Sequence, residues 1–260
     1  MKLEGKVAIV TGSSAGIGES IAKDFVSEGA KVVIVGRREA KANAVAKEIN
    51  NNGGTAISVR ADVGLLKDVV NMVEKTLEAF GEINILVNNA AVIHQAQVIE
   101  TEEEDWDRLI RNNLKSCFLC CREVVKQMIK QGKGGKIVNM SSIHAVLSEP
   151  SCCAYTAAKG GMEAFSRTLA TEVAPHKINV NCIEPGATYS ELTTPMYTES
   201  VKKALFKRIT LKEIAQPEWI AKGVTFLASE DARYMTGSVM VMDGGYIMDG
   251  SLPDAEYWEK

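Results

Sequence analysis

Tyr155 precedes Lys159 by four residues in "YTAAKGGMEAFSRTLATEVA" (155–174), a stretch with the apolar spacing of an amphipathic helix. Side chains four apart share a helix face, so the phenol and the ammonium are predicted neighbours. A free phenol titrates near ~10, and a nearby cation favours its anion, which would suit the pair to proton transfer. Ordinary helices also carry this spacing, so the pair needs support from elsewhere. That support begins with "TGSSAGIG" (11–18), which comes after an apolar run and opens a helical pattern. Gly12, Gly16 and Gly18, with Ser13, Ser14 and Ile17 between and beside them, predict a tight turn whose backbone amides meet a dinucleotide phosphate at a helix N-terminus.

The elements that must position these groups alternate along all 260 residues. Strands are predicted at 6–11, 31–35, 55–60, 83–88, 135–140, 178–183 and 239–243. Helices are predicted at 17–28, 39–51, 65–80, 103–130 and 155–174. Near-continuous apolar strands joined by helices imply one α/β domain, 1–260: a single doubly wound parallel sheet of about seven strands with helices on both faces. The segment 186–216 is longer than an ordinary connection and is read as a substrate lid. A formal net charge of −3 argues against a general nucleic-acid binder. The first apolar run is too short for a signal or membrane helix, which predicts a cytoplasmic protein with no membrane partner. The six cysteines lack a second ligand pair and the histidines at 94, 144 and 176 are scattered, so no metal is expected. Cys117, Cys120 and Cys121 are predicted to pack along one helix as free, small apolar side chains.

Six ordered motifs resemble the short-chain dehydrogenase/reductase family. They are Thr-Gly-x-x-x-Gly-Ile-Gly at 11–18, "NNAA" at 88–91, "NNL" at 112–114, "MSS" at 140–142, Tyr155-x-x-x-Lys159 and "PGATYS" at 185–190. The resemblance implies that Tyr155 is the general acid/base and that Ser142 steadies the substrate oxygen, with Ser141 as the alternative. It implies that Lys159 holds the nicotinamide ribose and lowers the tyrosine pKa. Asn113, or Asn112 by register, would anchor a water in the proton relay. Asp62 and Val63 would contact adenine, and Asn89 and Ala90 would pass behind the coenzyme. Pro185, Gly186, Thr188 and Ser190 would lie at the nicotinamide. Two positions depart from the family pattern: Ala91 stands where glycine is usual, and Ser190 where threonine is usual.

NAD-specific relatives carry an acidic residue after the second strand, where this chain has Gly36 and then Arg37 and Arg38. An arginine there suits a 2′-phosphate, so NADP(H) is expected in preference to NAD(H), with Arg37 favoured. The implied reaction interconverts an alcohol and a carbonyl. Candidate substrate contacts are His94, Ser142, His144, Glu149, Tyr155, Glu184 and Leu192, whose polar content suggests a sugar, polyol or cyclic alcohol or ketone. The glucose 1-dehydrogenase and 3-oxoacyl-carrier reductase branches are equally close in pattern. Alternatives are therefore a 3-oxoacyl thioester or steroid reductase, or a nucleotide-binding regulator without catalysis. The resemblance also implies a homotetramer, with apolar residues of 103–130 and 155–174 and Tyr246, Tyr257 and Trp258 as candidate contacts.

Overall fold

In the computed structural model, which describes residues 1–250, seven parallel strands form one sheet in the order β3-β2-β1-β4-β5-β6-β7. The strands are β1 (Val7–Thr11), β2 (Lys31–Gly36), β3 (Thr55–Arg60), β4 (Ile85–Asn88), β5 (Gly135–Met140), β6 (Ile178–Pro185) and β7 (Val239–Met242). The helices are α1 (Gly16–Ser27), α2 (Glu39–Asn51), α3 (Leu66–Phe80), α4 (Glu103–Ile110), α5 (Ser116–Gln131), α6 (Cys153–Val173), α7 (Glu199–Arg208) and α8 (Pro217–Ala228). Central strands are apolar on both faces because both are covered. Ala8 and Val10 of β1 pack with Ile21, Phe25 and Val224 on one side, while Ile9 packs with Met72, Val124 and Met162 on the other. Each large side chain so buried contributes about 1.5–3 kcal/mol.

The strand order reverses between β1 and β4, which places a crevice at the carboxyl ends of these strands. Every predicted strand and helix forms, with ends moved by a residue or two. The predicted helix 103–130 is divided: α4 passes into α5 through a π-helical segment, Arg111–Lys115. One extra residue in a turn rotates the next helix about its axis, and such insertions cluster at functional sites. Cys117, Cys120 and Cys121 are free thiols buried against the sheet. The long segment after β6 contains a 3₁₀ turn, Thr194–Met196, and then α7.

Candidate active site

A groove of about 970 Å³ runs along the carboxyl edge of the sheet. At one end lies the turn after β1. Gly12 has φ +67°, and a Cβ there would sit 2.8 Å from the Ala90 Cα. A Cβ on Gly18 would strike the Asn89 amide and approach the Gly12 carbonyl to 2.6 Å. Only glycine permits both the left-handed turn and the close packing of α1 on the sheet. No side chain caps α1, so its first amides are left for an anion at the groove.

The turn is held by residues that do not face the groove. Ser13 is fully buried; its hydroxyl donates to the Val10 carbonyl at 2.6 Å and accepts from the Val35 amide at 3.0 Å. It therefore ties β1 to β2, correcting its assignment to coenzyme contact. Asn89 lines the groove but directs its carboxamide at the carbonyls of Thr11 and Gly12. Thr11 was missed by motif reading: its hydroxyl accepts from the amides of Asn89 and Ala90, joining the two crevice loops. A hydroxyl ending β1 was the only signal.

Ser14, Gly16, Ile17, Gly18, Arg37, Arg38, Asp62, Val63, Ala90, Pro185, Gly186, Thr188 and Ser190 all line the groove. Gly36 has a steric role as well, since a Cβ there would come within 3.0 Å of the Ser14 hydroxyl. Among the described residues Arg37 has no ion pair, whereas Arg38 is gripped by both carboxylate oxygens of Glu191, at 2.9 and 2.8 Å. Lys41 joins the same carboxylate at 2.6 Å, and the two cations hold Glu191 down to about 2. Ser190 bonds Thr193 within its own loop at 2.8 Å, and Thr188 is fixed by the Tyr197 hydroxyl.

In mid-groove, β5 leads into Ser141 and Ser142, and α6 begins two residues before Tyr155. The Tyr155 phenol faces the Ser142 side chain. Burial pushes Tyr155 up to about 12, only partly opposed by the Ser142 hydroxyl. The Lys159 ammonium lies 5.5 Å from the Tyr155 ring centroid and donates to the Met140 carbonyl at 2.6 Å. Burial also pulls Lys159 down to about 8. The phenol is thus a neutral donor, and the lysine loses its charge as pH rises through about 8.

Asn113 is fully buried in the π-helical segment. Its carboxamide accepts from the Val92 amide at 2.8 Å and donates to the Val92 carbonyl at 2.9 Å. Both polar groups of the side chain hold the loop after β4. Asn112 lines the groove, although its own amide donates to the Arg108 carbonyl.

The far end of the groove has one polar wall and one apolar wall. Gln95, His144, Glu149 and Cys152 face Leu192, Met196, Val201, Leu205 and Tyr246. His144 Nε2 lies 3.8 Å from Glu149, its Nδ1 is buried without a partner, and burial lowers its pKa. Two predicted substrate contacts are elsewhere. His94 pairs with Asp105 at 3.2 Å beside a separate small cavity. Glu184 is 2% exposed beneath the groove, facing Glu163. Strand alternation explains Glu184: Pro185 next to it faces the groove. Tyr246 packs under Arg208 of the same chain, 5.3 Å away; Tyr257 and Trp258 lie outside the described residues.

Residues 12–247 match the family model described as enoyl-(acyl carrier protein) reductase. The chain is 37% identical over 248 residues to a 3-oxoacyl-[acyl-carrier-protein] reductase of Synechocystis, covering 95% of this chain and 98% of that one. A short-chain type dehydrogenase/reductase from Mycobacterium marinum superposes with a TM-score of 0.91 at 31% identity, over 94% of this chain and 96% of that one. A structure described as a putative gluconate dehydrogenase from Agrobacterium tumefaciens superposes with a TM-score of 0.92 at 32% identity, over 96% and 98%. With a dinucleotide crevice, a Ser–Tyr–Lys set at its centre and these relatives along almost its whole length, the chain belongs to the short-chain dehydrogenase/reductase family of oxidoreductases, which use nicotinamide coenzymes.

Proposed function

We propose that the protein interconverts an alcohol and a carbonyl, with Tyr155 as general acid/base. The observation that carries this reading is the Tyr155 phenol, facing Ser142 and one helical turn from a buried ammonium, opening on the groove at the carboxyl edge of the sheet. The free amides of α1, the glycine turn and the length of the groove fit a nicotinamide dinucleotide, which when bound supplies or accepts the hydride. In the reductive direction Ser142 donates a hydrogen bond to the substrate oxygen, and Tyr155 transfers its proton there. A phenol held near 12 is protonated at neutral pH and ready to donate. Lys159 places positive charge under the site and offers donors to the coenzyme ribose.

The substrate we propose is a sugar, polyol or cyclic alcohol or ketone of modest size. A ring fits between the apolar lid residues Leu192 and Met196 and the polar wall of Gln95, His144 and Glu149, where the unpartnered His144 Nδ1 suits a hydroxyl. The name of the Synechocystis relative favours a second reading, reduction of a 3-oxoacyl thioester. For the coenzyme we propose NADP(H) over NAD(H), with Arg37 as the phosphate contact because Arg38 is engaged by Glu191. A panel of sugars, cyclic ketones, steroids and oxoacyl thioesters, run with both coenzymes, tests these readings. Turnover of oxoacyl thioesters alone would overturn the first substrate assignment. Arg37→Ala is expected to lower the NADPH/NADH efficiency ratio about 10- to 150-fold, the range for a hydrogen bond to a charged group. An unchanged ratio would remove Arg37 from the role.

The same reading extends to a cytoplasmic homotetramer. No described helix is long and apolar enough to cross a membrane. Of the apolar residues on α5 and α6, Cys117, Cys120, Cys121, Met162 and Leu169 face inward, leaving Phe118, 42% exposed, against Phe165 as the outward patch. Light scattering should return four chain masses, and a monomer at micromolar concentration would refute the assembly.

A further inference from the structure

Beneath the groove lies a set of buried titratable groups that proton transfer from Tyr155 does not use. Glu163 is on α6, one turn beyond Lys159, and 6% exposed; Glu184 is on β6 and 2% exposed. Their carboxyl groups face each other around Ser141. Glu163 also accepts from the Ser141 hydroxyl at 2.5 Å. Ser141 donates its amide to the carbonyl of Ile183, the residue before Glu184, at 2.8 Å. Lys159 donates to Met140, the residue before Ser141. The ends of β5 and β6 and one face of α6 are thus joined at a single buried point.

Two constraints act there. Carboxyl groups that face each other in a buried site cannot both be ionised. A buried ammonium with no counter-charge is costly, and tends to lose its proton instead. One proton shared by the two acids meets both conditions, since the pair then carries a single negative charge opposite a single positive one. We infer that Glu163 and Glu184 share one proton and act as positioning residues, supplying the buried negative charge that keeps Lys159 protonated in the working enzyme. This rests on the reading of Lys159 as a functional cation.

The other groups facing this point fit the assignment. Cys117 from α5 and Cys182 from β6 face Lys159, but the neighbouring Cys121 thiol, then burial, drives Cys117 up, and burial drives Cys182 up to about 12, so neither supplies an anion. Tyr155 is likewise neutral. Asp243, after β7, faces Glu184 while its carboxylate accepts from the amides of Gly245 and Ile247. Burial first, then Glu163 and Asp243, push Glu184 up to about 8, which makes Glu184 the member of the pair that holds the proton.

The test is the pH profile of kcat/KM for E163Q, E184Q and the double variant, with melting temperature as a fold control. E184Q mimics the protonated partner and should keep the alkaline limb where wild type has it. In E163Q the charge passes to Glu184, and the limb should move only slightly. The double variant carries no charge, so Lys159 should lose its proton earlier and the limb should shift down by about one pH unit or more. An unmoved limb in a folded double variant, or a full shift in E184Q alone, would overturn the proposal. Infrared difference spectroscopy reads the proton without turnover: wild type at pH 7 should show a protonated-carboxyl stretch that E184Q removes, and its absence would equally overturn it. Failure of the catalytic reading looks different, because Tyr155→Phe would then turn over normally while the infrared band remained.

Discussion

Replacing Tyr155 with phenylalanine is expected to lower kcat by at least about 100-fold while coenzyme still binds. The ring stays packed, so the groove keeps its form, and only the oxygen facing Ser142 is removed. General acid–base groups contribute about 10²–10⁴-fold, and no other described side chain at this point is placed to replace the phenol. Cys152 is near, but burial raises its thiol, and His144 bonds Ser142 only through its backbone amide. Steady-state kinetics with coenzyme titration checks the result. Turnover within a few-fold of wild type would refute Tyr155 as the proton donor.

Lys159→Met should be comparably damaging to kcat/KM and should also weaken coenzyme binding, by about 10- to 150-fold for loss of a charged hydrogen bond. Methionine preserves much of the volume but leaves the Met140 carbonyl without its 2.6 Å donor. A buried orphan acceptor costs about 1–3 kcal/mol, so the melting temperature should fall as well. The wild-type alkaline limb near pH 8 should vanish from what activity remains, because the group that loses charge there is gone. A variant with normal coenzyme affinity would show that the ammonium serves α6 packing alone.

The sheet and the line of the crevice were legible because they depend on short-range patterns. Apolar runs mark the strands, and Gly12 and Gly18 sit where a Cβ has no room. The choice between groove and interior was harder to read. Ser13, Asn89 and Asn113 have the polar character of ligand contacts, yet their hydrogen bonds go to backbone up to 78 residues away. Sequence spacing carries no information about such partners. Glu184 and His94 illustrate the same limit: a carboxyl and an imidazole beside a motif were read as substrate groups, and tertiary packing turned each toward another side chain. The proximity of Tyr155 to Lys159 was visible in the spacing, whereas burial, the largest effect on the phenol, was not.

The bond from Lys159 to the Met140 carbonyl ties α6 directly to the end of β5. Ser142 and Tyr155 are therefore registered to each other by the sheet, whatever course positions 143–152 take between β5 and α6. Those positions, with the segment after β6, supply most of both walls of the substrate end, to which Gln95 and Tyr246 are added from elsewhere. The chemistry and the choice of what undergoes it are inherited separately: insertions, deletions or grafts in either wall can redirect the enzyme to new compounds without realigning the groups that move the proton.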